Sequence, residues 1–389
     1  MRVAINELLA INELQLVAME TSSEDVAIFV VGNDQQGTWR LTADRQRLAR
    51  VHPYFQALLL GPLANSNETI LVPDVDKRAF DHILRYLLDE NPKLMSVSTA
   101  RNTLEAAHRY VIPDLVRDCV SYLDLHLDAD NVLEVFRDLR FFCNTAKLAG
   151  YGEQVKLTDS ESDPALLMGD HCSALLHNCL LVIDEHAETI LQQERIEELS
   201  FTDVEIITGR PCLRLASETT LFDAMHRWSL SECRRRKTDS TAASRRRVLG
   251  DVSYRVRYLL MTEKEFKEGP KKSELLDPVE CELVLARLRG EALPDPLDAR
   301  QCDMLTLFAS PRPLPTARPV YLSARTQPQT DEQMQNGKND KLLEKHKKKK
   351  QKKKGNKNKK EVDSDDEKEG RCCSCFGDCL LDTVMCLFD

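Results

Sequence analysis

The densest chemistry in this 389-residue chain lies near its end. There Cys372, Cys373, Cys375, Cys379 and Cys386 are interleaved with Phe376, Leu380, Leu381, Val384, Met385, Leu387 and Phe388. A tract from Lys345 to Lys360 holding eleven lysines comes shortly before them, followed by an acidic stretch from Glu361 to Glu369. Thiols among apolar residues beside a polybasic patch suit reversible acylation, with Cys372, Cys373, Cys375 and Cys379 as acceptors. Lys347, Lys348, Lys349, Lys350, Lys352, Lys353 and Lys354 would then attract anionic lipid, or else serve as a nuclear address. A zinc site on Cys372, Cys375, Cys379 and Cys386 is the rival. Its spacings match no standard ribbon or finger, so no metal is expected. The final Cys386, Leu387, Phe388, Asp389 lacks the usual aliphatic pair, and prenylation is not expected either.

Elsewhere, reactive groups are sparse. Cys233 stands beside Arg234, Arg235 and Arg236, a setting that favours thiolate, although packing next to Trp228 is the simpler role. The sequence has no Gly-rich phosphate loop, no HExxH and no serine elbow, and its nine histidines are scattered. No catalytic residue and no cofactor are expected, and the chain reads as a non-enzyme.

The length allows two or three domains, and 42% apolar residues suffice for real cores. Eight cysteines fall singly before Gly337, and the N-terminus has no secretory pattern, so these thiols are expected to be reduced and packed inside a cell. No run approaches the roughly 20 apolar residues of a membrane span, which leaves peripheral membrane contact. Residues 1–337 carry a net charge of −13 and residues 338–389 one of +4. An acidic body is not expected to hold nucleic acid.

The elements that must position any site follow from local patterning. Asp25 to Val31 reads as a buried strand, its Val26, Ile28 and Val30 alternating with Ala27, Phe29 and Val31. Ile70 to Val72 reads as a second strand ended by Pro73. Asp76 then caps a helix striped by Ala79, Phe80, Ile83, Leu84, Leu87 and Leu88. Ser98 is expected to cap a helix with Leu104, Ala107 and Val111, and Pro113 to open the next, with Leu115, Val116, Cys119, Val120 and Leu123 facing inward. From Asn131 the pattern is wholly helical. It starts with Val132, Leu133, Phe136, Leu139 and Phe142, crosses a polar interval from Asn144 to Pro164 and resumes over Ala174 to Leu191. Thr262 and Glu265 form a capping box. Residues 290–337, rich in Pro, Gln, Ser and Thr, are expected to be a disordered linker.

The stretches at Asp25 to Val31, His52 to Gly61 and Glu68 to Leu88 resemble a BTB/POZ domain. Two later segments are similar to a BACK domain. Leu221, Phe222, Ala224, Arg227, Trp228, Glu232 and Cys233 match the first motif of one BTB-BACK group, and Arg246, Arg247, Leu249, Gly250, Leu260, Met261, Glu265 and Phe266 match the second. That group usually carries a β-rich PHR domain next, for which residues 290–337 show no pattern. The resemblance spans residues 22–289. It implies an α+β BTB/POZ domain over 22–127, a small sheet with helices, then an all-α BACK domain over 128–289. A leader, 1–21, precedes them, and a lysine- and cysteine-rich tail, 338–389, follows the linker.

The resemblance further implies a homodimer, with Asp25 as the interface acid and Leu14 and Val17 of the leader completing the contact. Asp44, Gln46 and Arg47 stand where relatives usually carry histidine and apolar residues, which makes that face more polar. It implies, too, a substrate adaptor or scaffold that brings a protein client, not identifiable from the sequence, to the cullin-3 ubiquitin ligase. Relatives grip cullin-3 through an apolar residue and a glutamate two places later. Here the loop reads Leu63, Ala64, Asn65, and the glutamate is missing. Tyr54, Leu59, Leu63, Tyr110 and Phe141 are the candidate contacts, each with core packing as its rival. The expected location is cytoplasmic, with membrane association through the tail. The alternatives are a BTB assembly protein outside the ubiquitin system, membrane-tethered by its tail, and a nuclear regulator.

Overall fold

Alternation of apolar residues over Val26–Asn33 and a glycine-flanked turn make a hairpin at the start of the described chain. The computed structural model describes residues 26–33, 37–62, 64, 69–144, 163–293 and 297–327, all within one compact unit that ends at Gln327. Strand β1 (Val26–Asn33) pairs antiparallel with β2 (Gly37–Asp44), Val31 opposite Trp39, and parallel with β3 (Ile70–Val72), Phe29 opposite Ile70. The sheet order is β2-β1-β3. Gly32 is required at the turn: its φ is +104°, and a Cβ there would sit 2.6 Å from the Gly37 carbonyl oxygen. Ala27, Phe29 and Val31 are fully buried, whereas Val26, Ile28 and Val30 are only half-buried. The expectation of a strand covered equally on both faces is thus corrected, because the helices pack on one side of the sheet.

Those helices are α1 (Arg45–Val51), α2 (Pro53–Leu60), α3 (Lys77–Leu87), α4 (Val97–Arg109) and α5 (Pro113–Leu125). Asp76 caps α3 by accepting from the Arg78 and Ala79 amides, and Pro113 occupies the first turn of α5, both as expected. Phe29, Phe55 and Phe80 form the centre of this half, with ring centroids 5.3–6.3 Å apart. The cap of α4 is Ser96, whose hydroxyl accepts from the Thr99 amide; Ser98 lies inside the helix.

The helical half contains α6 (Val132–Phe136), α7 (Pro164–Glu185), α8 (Ala187–Leu191), α9 (Phe201–Thr208), α10 (Glu218–Arg235), α11 (Ala242–Leu249), α12 (Glu263–Phe266) and α13 (Pro278–Arg289). Helix α7 packs against α5 and joins the two halves. It is long and apolar enough to cross a membrane by length and composition, which corrects the expectation that no such run exists. It is a core helix of the fold, because its buried Asp184 pairs with Arg210 and its buried Asn178 bonds to Asp124. The BACK-like motif is structural as well. Trp228 is fully buried and donates to the Leu199 carbonyl at 2.9 Å, while Arg227 bonds to Glu197 and the Leu191 carbonyl.

The linker expectation is corrected over residues 297–327. Asp298 and Gln301 form a capping box that starts α14 (Ala299–Ala309), and Met304, Leu305 and Phe308 are buried, Phe308 with its ring 4.8 Å from Tyr258. The chain then runs extended as far as Tyr321 and Leu322, its prolines keeping it out of a helix, and remains bonded to the body through Thr326.

Candidate functional site at the domain joint

Helix α4 ends in a turn that determines which side chains face water at the joint. The Ile112 amide donates to the Ala107 carbonyl at 2.9 Å and the Val111 amide to His108 at 3.2 Å, the paired bonds of a left-handed helix stop. Glycine is the usual residue there; here Val111 takes φ +56° and is 50% exposed. The sequence expectation had placed Val111 on the buried stripe of α4. The left-handed turn carries it off that face instead.

Tyr110, just before it, is buried. Its ring lies 5.2 Å from Tyr54, 5.7 Å from Phe55 and 5.8 Å from Phe80, and burial pushes its hydroxyl pKa up to about 12. Leu59 is buried too, at 2% exposure. Tyr110 and Leu59 are therefore core residues of this conformation, and their candidacy as direct contacts is corrected: in both cases packing is the role the structure shows. Tyr54, by contrast, is 49% exposed, resting edge-on against Tyr110 and Phe55.

Phe141 is 67% exposed in the short turn Leu139–Phe142, with the Arg140 guanidinium 5.3 Å from its ring centroid. Its neighbour Phe142 faces inward, meeting the His108 ring at 5.0 Å and the Arg101 guanidinium at 5.2 Å. The His108–Phe142 contact ties the end of α4 to the opening of the helical half. Burial holds His108 below the ordinary imidazole pKa, so it brings no charge to this surface at neutral pH. Tyr54, Val111 and Phe141 are thus exposed apolar groups on elements that meet at the joint. Leu60 and Val51, 47% and 46% exposed at the ends of α2 and α1, are further exposed apolar side chains of the sheet-containing half.

Such a surface suits docking of a protein partner, with apolar anchors and no positioned acid or base. Among the described residues no group of three or more His, Cys, Asp or Glu is placed to hold a metal. Burial pushes the thiols of Cys119, Cys172 and Cys179 upward and that of Cys143 to about 12. Cys233 is fully buried, while Arg235 and Arg236 pair with Glu232 and Arg234 with Glu197, which fits the packing role. Asp25, Leu14, Val17, Leu63, the seven tail lysines and the tail cysteines Cys372, Cys373, Cys375 and Cys379 lie outside the described residues. Val111, Leu60 and Val51 were missed as surface groups because an apolar residue near a helix end reads the same from either face.

Residues 20–127 match the family model of the BTB/POZ domain, and residues 168–268 match that described as BTB And C-terminal Kelch. The chain is 31% identical over 248 residues to BTB/POZ domain-containing protein 6-B of Danio rerio, covering 64% of this chain and 45% of that protein. It is 31% identical over 248 residues to BTB/POZ domain-containing protein 6 of Homo sapiens, covering 64% and 40%. It is 30% identical over the same length to BTB/POZ domain-containing protein 3 of Homo sapiens, covering 64% and 42%. The alignments thus span less than half the length of these curated relatives.

Proposed function

The chain belongs to the BTB-BACK proteins, and from that premise we propose that it is a dimeric adaptor or scaffold that presents a protein client to a cullin-3 ubiquitin ligase. BTB domains mediate homo-oligomerisation and partner binding, and BTB-BACK proteins are commonly cullin-3 adaptors. The observation that carries the reading is the exposed apolar set Tyr54, Val111 and Phe141 at the joint of the two domains. Leu63 would add an anchor from the neighbouring loop, and Asn65 in place of the usual glutamate costs one polar contact while leaving the apolar anchors. Dimerisation would use Asp25 with Leu14 and Val17. The chain would accelerate ubiquitin transfer by raising the client's effective concentration near the donor and would make or break no bond itself. Co-elution of the full chain with purified cullin-3 tests this. Leu63→Asp is expected to abolish capture while leaving the melting temperature unchanged, and undiminished capture would remove Leu63 from the interface.

A second reading concerns the tail, where eleven lysines precede five cysteines. One acyl chain binds a membrane weakly, whereas an acyl chain with a polybasic patch supplies two cooperating attractions. We propose membrane attachment by acylation there, weakened when phosphorylation of Ser364 adds negative charge beside the lysines. Membrane fractionation is expected to retain the wild type and to release a variant with all five tail cysteines changed to Ser, and equally the wild type after hydroxylamine. Equal partitioning of all three samples, or stoichiometric zinc on the purified tail, would contradict it.

A further inference from the structure

Residues 318–322 run extended across the joint and 323–326 close a turn, the Thr326 amide donating to the Ser323 carbonyl at 3.1 Å, and the body receives the segment through side chains rather than by apolar contact alone. Asn178, fully buried on α7, reads the backbone at one position from both sides: its Nδ2 donates to the Val320 carbonyl at 2.9 Å and its Oδ1 accepts from the Val320 amide at 2.8 Å. From the preceding residue of α7, His177 Nε2 donates to the Arg318 carbonyl at 3.0 Å. Asp124, fully buried near the end of α5, reads the side chains that follow. Its carboxylate accepts from Arg325 at 2.7 Å, from the Thr326 hydroxyl at 2.9 Å and from the Ser323 hydroxyl, while its main-chain carbonyl accepts from Arg325 Nε at 2.6 Å.

A paired amide on the backbone and a carboxylate on a hydroxyl, an arginine and a second hydroxyl are the elements of peptide recognition. We propose that Asp124, Asn178 and His177 form a binding site for a peptide whose extended stretch ends in a turn of the pattern Ser-x-Arg-Thr, and that its resident ligand is this chain's own residues 318–326. The reasoning starts from burial. With residues 318–326 in place Asp124 is fully buried, and the hydrogen bond it has from Asn178 at 2.8 Å would not by itself offset that desolvation. The strap supplies the charged partner and two hydroxyl donors. Because Asp124 ends the BTB domain and Asn178 lies in the BACK domain, occupancy pins the two together.

The test uses the full chain with Ser323→Ala, Arg325→Ala and Thr326→Ala combined, which removes the ligand's donors and leaves the site's residues intact. Hydrogen exchange over residues 318–327 is expected to quicken roughly tenfold or more, the loss that goes with hydrogen bonds to a charged group, with exchange in β1 unchanged. A synthetic peptide of residues 316–327 is then expected to bind this variant, to bind the wild type far more weakly because the site is filled, and to lose binding when its own Arg325 is changed to Ala. Undisturbed protection in the variant, or equal binding of the two peptides, would overturn the proposal. Should the triple variant not fold, Arg325→Lys in the full chain decides: faster exchange over 318–327 supports the site, and unchanged exchange in the folded protein overturns it.

Discussion

Val111 holds a left-handed conformation that costs a β-branched residue about 1–2 kcal/mol, and its side chain is half in water. Glycine would remove that cost at the expense of a more flexible unfolded chain. Val111→Gly is therefore expected to stabilise the protein by about 0.5–1 kcal/mol in a chemical denaturation series. A destabilised variant would show that the side chain packs more than its exposure indicates. His82 makes a different prediction. It is buried, and its Nδ1 donates to Thr103, whose own hydroxyl proton is used on the Thr99 carbonyl. Desolvation lowers its pKa from 6.5. Above 6.5 the imidazole is neutral whether the chain is folded or not, so no stability depends on it. As pH falls below 6.5 the unfolded chain takes up the proton first, and stability is lost progressively until the folded pKa is reached. Denaturation midpoints measured from pH 7.5 to 5 are expected to fall on the acid side, and His82→Gln should flatten that slope; an equal slope in the variant would place the titration elsewhere.

At the scale of elements, capping distinguishes two serines two residues apart. Ser96→Ala should cost about 1 kcal/mol, because the Thr99 amide loses its acceptor, whereas Ser98→Ala inside α4 should be nearly neutral. Equal effects would move the helix start. The sequence made much of this architecture legible, namely β3 followed by the Asp76 cap, the inward face of α5 and the Thr262–Glu265 box, because each rests on local chemistry. What could not be read there was decided by tertiary contact. Helix α2 has apolar residues on most of its faces, so nothing local says that Phe55 and Leu59 turn inward while Tyr54 and Leu60 face water. Helix α14 does carry a local signal, the Asp298–Gln301 box ahead of Met304, Leu305 and Phe308, but it stands among prolines that favour an extended chain. The strap beyond α14 gave none, since Arg312 finds its buried partner Glu218, at 2.9 Å, only through the fold.

For the whole molecule, the two domains act as one unit because their shared surfaces lie at the joint. Helices α5 and α7 pack there, the His108–Phe142 contact bridges it, and the strap closes over it at Asp124. This rigidity would matter to an adaptor, whose gain in rate depends on holding client and donor at a fixed separation. Phe141 gives direct access to the claim, because at 67% exposure it can be truncated with little loss of packing. The decisive measurement is a calorimetric titration of purified cullin-3 into the full chain and into Phe141→Ala. The account predicts one cullin-3 bound per protomer of a dimer, and an affinity at least roughly tenfold weaker for the variant at unchanged melting temperature, as for an exposed aromatic anchor. No heat of binding to the wild type at tens of micromolar, or equal affinities for the two proteins, would contradict it.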